Sequence, residues 1–277
     1  MKTRPLLFGL HARPEGMFKV AVGLIPVLIL VSLYFTVSHV RLATNPSDKL
    51  TPSFSQMVDA VKRAIIIPDP RTGHYTLLDD TLASLRRIGI GIGLAAVFGL
   101  LLGVNMGLFP GFRAIMEPVI KFFSIVPPLS ILPVLFILFG VGEFGKIALI
   151  FIGSSFLITR DIYRATKEIP EEQVVKALTL GATQWQVVYL VILPQILPKL
   201  LSTLRICLGG SWLFLIAAEA IASTNGLGYR IFLVRRYLSM DMIIPYVLWI
   251  TFLGFVMDTV LRKSIERFFP WYLTEKD

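Results

Sequence analysis

Residues 171–194 read Glu171-Glu-Gln-Val-Val-Lys-Ala-Leu-Thr-Leu-Gly181-Ala-Thr-Gln-Trp-Gln-Val-Val-Tyr-Leu-Val-Ile-Leu-Pro194, a polar interlude in a chain that is 55% hydrophobic. Acidic residues open it, a glycine interrupts it and a Leu-Pro step closes it, which is the pattern of a short helix, a turn and a new helix. Apolar runs flank it on both sides. A short amphipathic helix lifted out of the bilayer between two crossings offers a docking surface.

The surrounding composition makes this a membrane protein. Of 277 residues only 16% are charged, and the mean hydropathy is +0.73; soluble domains carry about 25% charged residues. A hydrocarbon core of ~30 Å takes roughly 20 apolar residues in a helix. Three runs meet this, at 20–40, 88–112 and 122–142, and three interrupted runs follow at 147–159, 206–218 and 242–257. The expectation is an all-α polytopic protein with about six transmembrane helices. The net charge of +9 is read as basic residues flanking spans and meeting membrane lipid, with no nucleic acid partner. The single Cys207 allows no internal disulfide. The first run is too long for the apolar region of a signal peptide and lacks a small-residue cleavage site, so it is expected to remain as an anchor.

Outward from these spans the chain divides into a segment 1–17, a first span 18–40, a polar loop 41–87, a core 88–262 that includes the loop 164–194, and a tail 263–277. The polar loop carries Phe54, Met57, Val58, Val61 and Ile65 at helical spacing behind Ser53 or Ser55 as N-cap, an interfacial helix. Pro68–Gly73 reads as a turn. Gly89, Gly93, Gly99, Gly103 and Gly107 form a small-residue packing face. Pro127, Pro128 and Pro133, beside Ser124 and Ser130, predict a third span that is bent and enclosed by protein; pathway lining and a plain kink both fit. Basic residues divide equally between the two sides, so the positive-inside rule leaves orientation open.

Chemistry of its own is not encoded. Gly140-Val-Gly-Glu-Phe-Gly-Lys146 imitates a phosphate loop, but the preceding segment is an apolar span and residue 147 is Ile where Mg²⁺ needs Ser or Thr. No metal-ligand spacing and no nucleophile with a base are present, so no catalytic residue, metal or cofactor is expected. Four ionisable residues border apolar runs, Arg160, Asp161, Arg205 and Glu219; near the middle of a span a charge costs ~2.5–3.5 kcal/mol. Asp161 and Arg205 are expected to pair at one depth. Glu219 is either a carboxylate bonded to backbone at a broken helix end or a gate residue.

Gly181, Ala182, Ile192, Leu193, Pro194 and Pro198 resemble the cytoplasmic signature loop of permease subunits in binding-protein-dependent ABC importers, written E-A-A-x-x-x-G followed by I-x-L-P. Val126-Pro-Pro-Leu-Ser-Ile-Leu-Pro133, Phe139-Gly-Val-Gly-Glu143 with Lys146, Leu204-Arg205-Ile, Ala217-Ala-Glu219, Gly226-Leu-Gly-Tyr229 and Pro270-Trp271 resemble its nitrate/sulfonate/taurine/bicarbonate branch, in order over about residues 80–272. Two departures stand out: Val175-Lys176-Ala177 replaces the usual glutamate, and Arg160-Asp161 replaces an apolar residue and Asn.

The resemblance implies the type I importer permease fold in the bacterial inner membrane, with both termini cytoplasmic. It implies a second permease copy, two ATPase subunits that bind the ATP, and an external solute-binding protein. Coupling to the ATPase would fall to Glu172, Lys176, Ala177, Leu178, Gly181, Ala182 and Trp185; Ser124, Pro127, Ser130, Ser211, Trp212 and Glu219 are the pathway or gate candidates. The solute would be a small oxyanion, a sulfonate or taurine-like compound, or a small nitrogen compound. A secondary transporter or a membrane scaffold without an ATPase partner is the alternative; the first should show an inverted repeat, and the second leaves the docking loop unexplained.

Overall fold

The computed structural model describes residues 16–45, 48–68, 73 and 75–274; most of the segment 1–17, part of the 68–73 turn and the last three residues lie outside them. In chain order the helices are α1 (Gly16–Thr44), α2 (Phe54–Ile66), α3 (Thr76–Leu108), α4 (Pro110–Ile125), α5 (Leu132–Phe139), α6 (Glu143–Lys167), α7 (Glu171–Thr179), α8 (Gln184–Val187), α9 (Leu193–Ala222), α10 (Leu227–Arg235), α11 (Met240–Phe268) and α12 (Pro270–Thr274). No strand occurs among the described residues.

Among the described residues four helices are long and apolar enough to cross a membrane, five when α4 and the segment Pro128–Phe139 count as one bent span. The remaining expected crossing is α6. Lys146, Arg160 and Asp161 dilute its apolar character, yet 25 residues reach ~37 Å, more than a bilayer core. The runs at 147–159, 206–218 and 242–257 understate α6, α9 and α11, because charges that packing neutralises do not stop a helix. The polar loop is likewise shorter than expected, since α3 begins at Thr76.

The bundle is built on α3, α6 and α9. Gly91, Gly99 and Gly103 face Ile150, Ile158 and Ile162 in turn, so α3 and α6 run parallel at constant offset. A Cβ on Gly103 would sit 2.8 Å from the Thr159 carbonyl oxygen, which sets the helices at the close approach that small residues permit. With the fully buried Ala95, the working stripe is 91, 95, 99, 103 and 107. Gly89 and Gly93 point into open space, so the packing face predicted from sequence is corrected by half a turn at its start. Ser211 against Ser154 and Thr203 against Asp161 show α9 antiparallel to α6, and Asp258 against Arg205 with Gly254 against Trp212 show α11 antiparallel to α9.

The third span breaks by 86° between α4 and Pro128. Pro127 and Pro128 supply no N–H to continue the α4 ladder. The Ser130 N–H and hydroxyl both donate to the Pro127 carbonyl, at 3.0 and 2.7 Å, closing a short 3₁₀ turn. The bend was expected; enclosure was not reached within one chain, since Ile125 and Ile137 are 80% and 82% exposed. No other described segment covers that face.

α1 stands beside the bundle with none of its apolar window buried. It is tied to the following loop by Tyr34 Oη donating to the Pro52 carbonyl (2.8 Å), Ser38 Oγ to the Thr51 carbonyl (2.9 Å) and an Arg41–Asp48 ion pair at 2.8 Å. Of the two serines proposed to cap α2, Ser53 does so, in a capping box with Gln56. Gly140 ends α5 at φ 76° and α6 starts at Glu143, so the phosphate-loop lookalike is a tight connection between two helices.

Candidate functional site

The polar interlude folds into α7, a left-handed stop and α8. Glu171 and Glu172 lie in the first turn of α7 and Lys176 in its last, each sign matching the helix dipole. The stop is a Schellman motif: the Ala182 N–H donates to the Ala177 carbonyl (3.0 Å) and the Gly181 N–H to Leu178 (3.0 Å), with Gly181 at φ 88°. A side chain at that φ is strained, which explains the glycine. Ala177 and Ala182, the two residues that flank the 6→1 bond, pack together on the bundle with Val174. Thr183 then caps α8 in a box with Gln186.

This arrangement turns one side of the loop outward. Leu178, Leu180 and Trp185 are 45%, 89% and 72% exposed, and Glu172 and Lys176 are exposed beside them. Three large apolar side chains on a rigid, polar-rimmed knob form a surface that asks for a partner. The knob is connected to α9 by Gln195 Nε2, which donates to Gln173 Oε1 at 2.9 Å and to the Val191 carbonyl at 2.8 Å. Between α8 and α9 the chain widens into one π turn, Val188–Ile192, immediately before Pro194, whose ring cannot join the regular ladder. Gln173 and Gln195 were missed in the sequence because an isolated amide pair leaves no periodic signal.

At the break in the third span, a cavity of about 490 Å³ is lined by Ser124, Pro128, Gly153, Phe156, Arg160 and Phe214, among others. Of the pathway candidates, Ser124 lines it, and Pro127 and Ser130 form the break beside it and are exposed. Ser211 and Trp212 are placed differently: Ser211 is fully buried and bonded to Ser154 at 2.9 Å, and Trp212 is packed inside with its Nε1 unpartnered.

At the opposite end from α7, the N-terminus of α10 is buried and capped from other helices. Asp80 Oδ1 accepts from the Gly226 N–H, Ser84 Oγ from Leu227 and Glu219 Oε2 from Gly228, at 2.8, 2.9 and 2.8 Å. Three amides that a helix start leaves without internal partners are thereby satisfied. Arg87 joins the carboxylates: its Nη1 donates to Glu219 at 2.7 Å and its Nη2 to Glu143 at 2.6 Å, with Asn225 on both nitrogens. Lys146 bonds Glu143 and Ser223, and Arg230 bonds Asp80 at 2.8 Å. The six charges, three of each sign, cancel. Glu219 is sealed at 0% exposure, which is the backbone-bonded reading of that residue; in this conformation it faces no open surface. Gly226, at φ 118°, has no room for a side chain, since a Cβ would lie 2.5 Å from Glu219 Cδ. Asp80, Ser84 and Arg87 stand at i, i+4 and i+7 on one helical face, a signal present in the sequence that a loop over 41–87 does not express.

The expected Asp161–Arg205 pair is not formed. Arg205 forks onto Asp258 of α11, Nε–Oδ1 at 2.7 Å and Nη2–Oδ2 at 2.9 Å, while Asp161 accepts from the Thr203 hydroxyl and lies 3.6 Å from Lys199. The depth argument was sound, but the side chains leave their helices toward different neighbours. No group of three or more His, Cys, Asp or Glu able to hold a metal occurs among the described residues.

Comparison with known proteins closes the assignment. Residues 95–270 match the family described as "Binding-protein-dependent transport system inner membrane component". The "Taurine transport system permease protein TauC" of Escherichia coli strain K12 is 34% identical over 245 residues, 88% of this chain and 87% of that protein. The "Bicarbonate transport system permease protein CmpB" of Synechococcus elongatus is 30% identical over 180 residues, 65% of each chain. Among solved structures, a bacterial alginate ABC transporter chain superposes with a TM-score of 0.60 at 14% identity, covering 90% of this chain and 96% of that one. A chain of the MetNI methionine ABC transporter gives 0.55 at 21% identity, covering 66% and 94%. The type I importer permease fold is thus shared with chains of very different sequence, and the branch of the resemblance agrees with the taurine, sulfonate and bicarbonate permeases. This chain belongs to the inner membrane permease components of binding-protein-dependent ABC transporters, a non-catalytic membrane subunit of an importer.

Proposed function

We propose that two copies of this chain form the pathway of an ATP-driven importer, with the α7–α8 knob in the cytoplasm gripped by an ATPase subunit and the α10 end facing an external solute-binding protein. Both termini then lie in the cytoplasm, and ATP is bound by the two ATPase subunits. The observation that carries this reading is the knob itself: exposed Leu178, Leu180 and Trp185 on a Schellman-stopped helix, bonded to α9 through Gln173 and Gln195. Val174, Ala177 and Ala182 seat it on the bundle. A displacement of α7 by ATPase closure is therefore delivered to α9 as a rigid-body shift.

The solute is a small polar compound, an oxyanion, a sulfonate or taurine-like compound, or a small nitrogen compound; relatives named for taurine, aliphatic sulfonates and bicarbonate support this range. Reconstitution with the ATPase and a loaded binding protein tests the reading. ATP hydrolysis should rise on adding the loaded binding protein and fall to the unstimulated rate in Gly181→Asp, while the protein stays in the membrane. Uptake driven by a proton or sodium gradient without the ATPase would sink it.

A further inference from the structure

Of the four ionisable residues noted beside apolar runs, Arg160 alone has no counterion among the described residues. Among the described residues it makes no hydrogen bond and no ion pair, although its neighbour Asp161 is engaged by Thr203 and Lys199. A cation at the centre of a membrane-spanning helix costs ~2.5–3.5 kcal/mol, and less toward its end, unless it faces a polar route or a partner. Arg160 faces two cavities at once. It lines the one at the helix break and also a second, of about 230 Å³, that holds Glu117, Lys121, Tyr163 and Arg164. Ser124 is the other residue common to both, so Ser124 and Arg160 form the neck between them. From Arg160 to the end of α6 at Lys167 is seven residues, ~10 Å along the axis. The second cavity therefore lies toward the α7 end. Its charge is positive: Glu117 is occupied by Arg113 at 3.0 Å and Lys121 at 4.0 Å, leaving the Arg160 and Arg164 guanidiniums to define the field.

We propose that Arg160 selects the solute by charge: its guanidinium receives the anionic group of a solute that has reached the helix break and passes it into the basic cavity toward the α7 end. This rests on the permease reading above and adds to it the residue that reads the solute's charge, a guanidinium fork able to hold a planar or tetrahedral oxyanion. The relaying is local and needs no new covalent step. Ser124 supplies the narrow wall opposite, and the apolar faces of Phe156 and Phe214 accommodate the remainder of the solute.

The test uses the assembled transporter in proteoliposomes. With Ser124→Cys in a Cys207→Ala background, rates of modification by an anionic and a cationic methanethiosulfonate of equal size are compared. The anionic-to-cationic ratio should fall about tenfold on adding Arg160→Gln and return with Arg160→Lys. In parallel, ethanesulfonate uptake should show a KM at least about tenfold higher in Arg160→Gln, again recovered by lysine. An unchanged reagent ratio overturns the proposal. So does an unchanged KM, which is the outcome if a lipid phosphate rather than the solute neutralises Arg160. Uptake confined to cationic or neutral solutes overturns the charge selection and leaves the permease reading standing. Loss of all ATP-dependent uptake in the unmutated transporter overturns the permease reading itself.

Discussion

Arg87 and Glu219 have to be treated as parts of one buried system, and replacing each gives unequal costs. Arg87 is 2% exposed at its side chain and Glu219 0%. Arg87→Met removes the donor shared by Glu219, Glu143 and Asn225, leaving Glu219 a buried carboxylate without a cation. Breaking a buried pair in this way costs ~3–5 kcal/mol. Glu219→Gln is milder. Its carboxamide oxygen still accepts from Ser84 or the Gly228 amide, and Arg87 keeps Glu143 and Asn225. The loss is one charge-assisted bond, ~1.5–3 kcal/mol. The double change removes both charges, so its cost should fall short of the sum by ~2 kcal/mol or more. Equilibrium unfolding of the purified protein in mixed micelles of increasing SDS fraction reads all three. Additive costs, or an arginine change no worse than the glutamine change, would refute the argument that Arg87 is the centre of the cluster. Uptake by the Glu219→Gln transporter at the normal rate would in addition show that transport does not need the charge.

Other expected outcomes follow from the same contacts. Gly103→Val should lower stability by ~1–3 kcal/mol through overpacking against Ile162 and the Thr159 carbonyl, while Gly93→Val, in open space, should leave unfolding unchanged. Gly226→Ala should prevent the α10 cap from closing, seen as protease sensitivity between α9 and α10, because both φ and space are wrong there. Arg205→Asp should impair assembly and Asp258→Arg should restore it, whereas Asp161→Arg should not. The Leu50 N–H, with help from Thr51 and Arg41, holds the Asp48 carboxyl below the usual carboxylate range. A depressed folded-state pKa contributes stability above the unfolded value and loses it as pH falls through the folded one. The link between α1 and the following loop should therefore be constant from pH 5 to 8 and weaken only in stronger acid, as read by cross-linking of α1 to α2.

Much of this protein was readable residue by residue. Crossings that are apolar throughout announce themselves, because the bilayer demands a fixed length of hydrocarbon-compatible helix. Gly181 was likewise legible as the stop of a short helix, since a left-handed stop is a local requirement of adjacent residues, whereas the packing of Ala177 and Ala182 on the bundle was not. The bend at Pro127–Pro128 follows from missing donors and needs no tertiary information. That residues 171–194 leave the apolar sequence was also visible, because polar sequence between two spans has to stand in water.

Side-chain partnership was beyond the sequence. Asp161 and Arg205 share a depth but diverge to Lys199 and Asp258, because the azimuth of a residue around its helix is set by how three helices pack. The glycine stripe was right from Gly99 onward and wrong in phase at Gly89 and Gly93 for the same reason: a spacing of four fits two faces, and only the fit of Ile150, Ile158 and Ile162 selects one. The charge cluster around Arg87 joins residues from 80 to 230, and no local rule connects them. Sequence determined which segments are apolar enough to cross, where glycine and proline interrupt them and which loop is polar, since those depend on hydrophobicity and backbone geometry. Tertiary structure alone decided which charges cancel and left Arg160 facing a cavity, since cancellation depends on distances that the chain order does not contain.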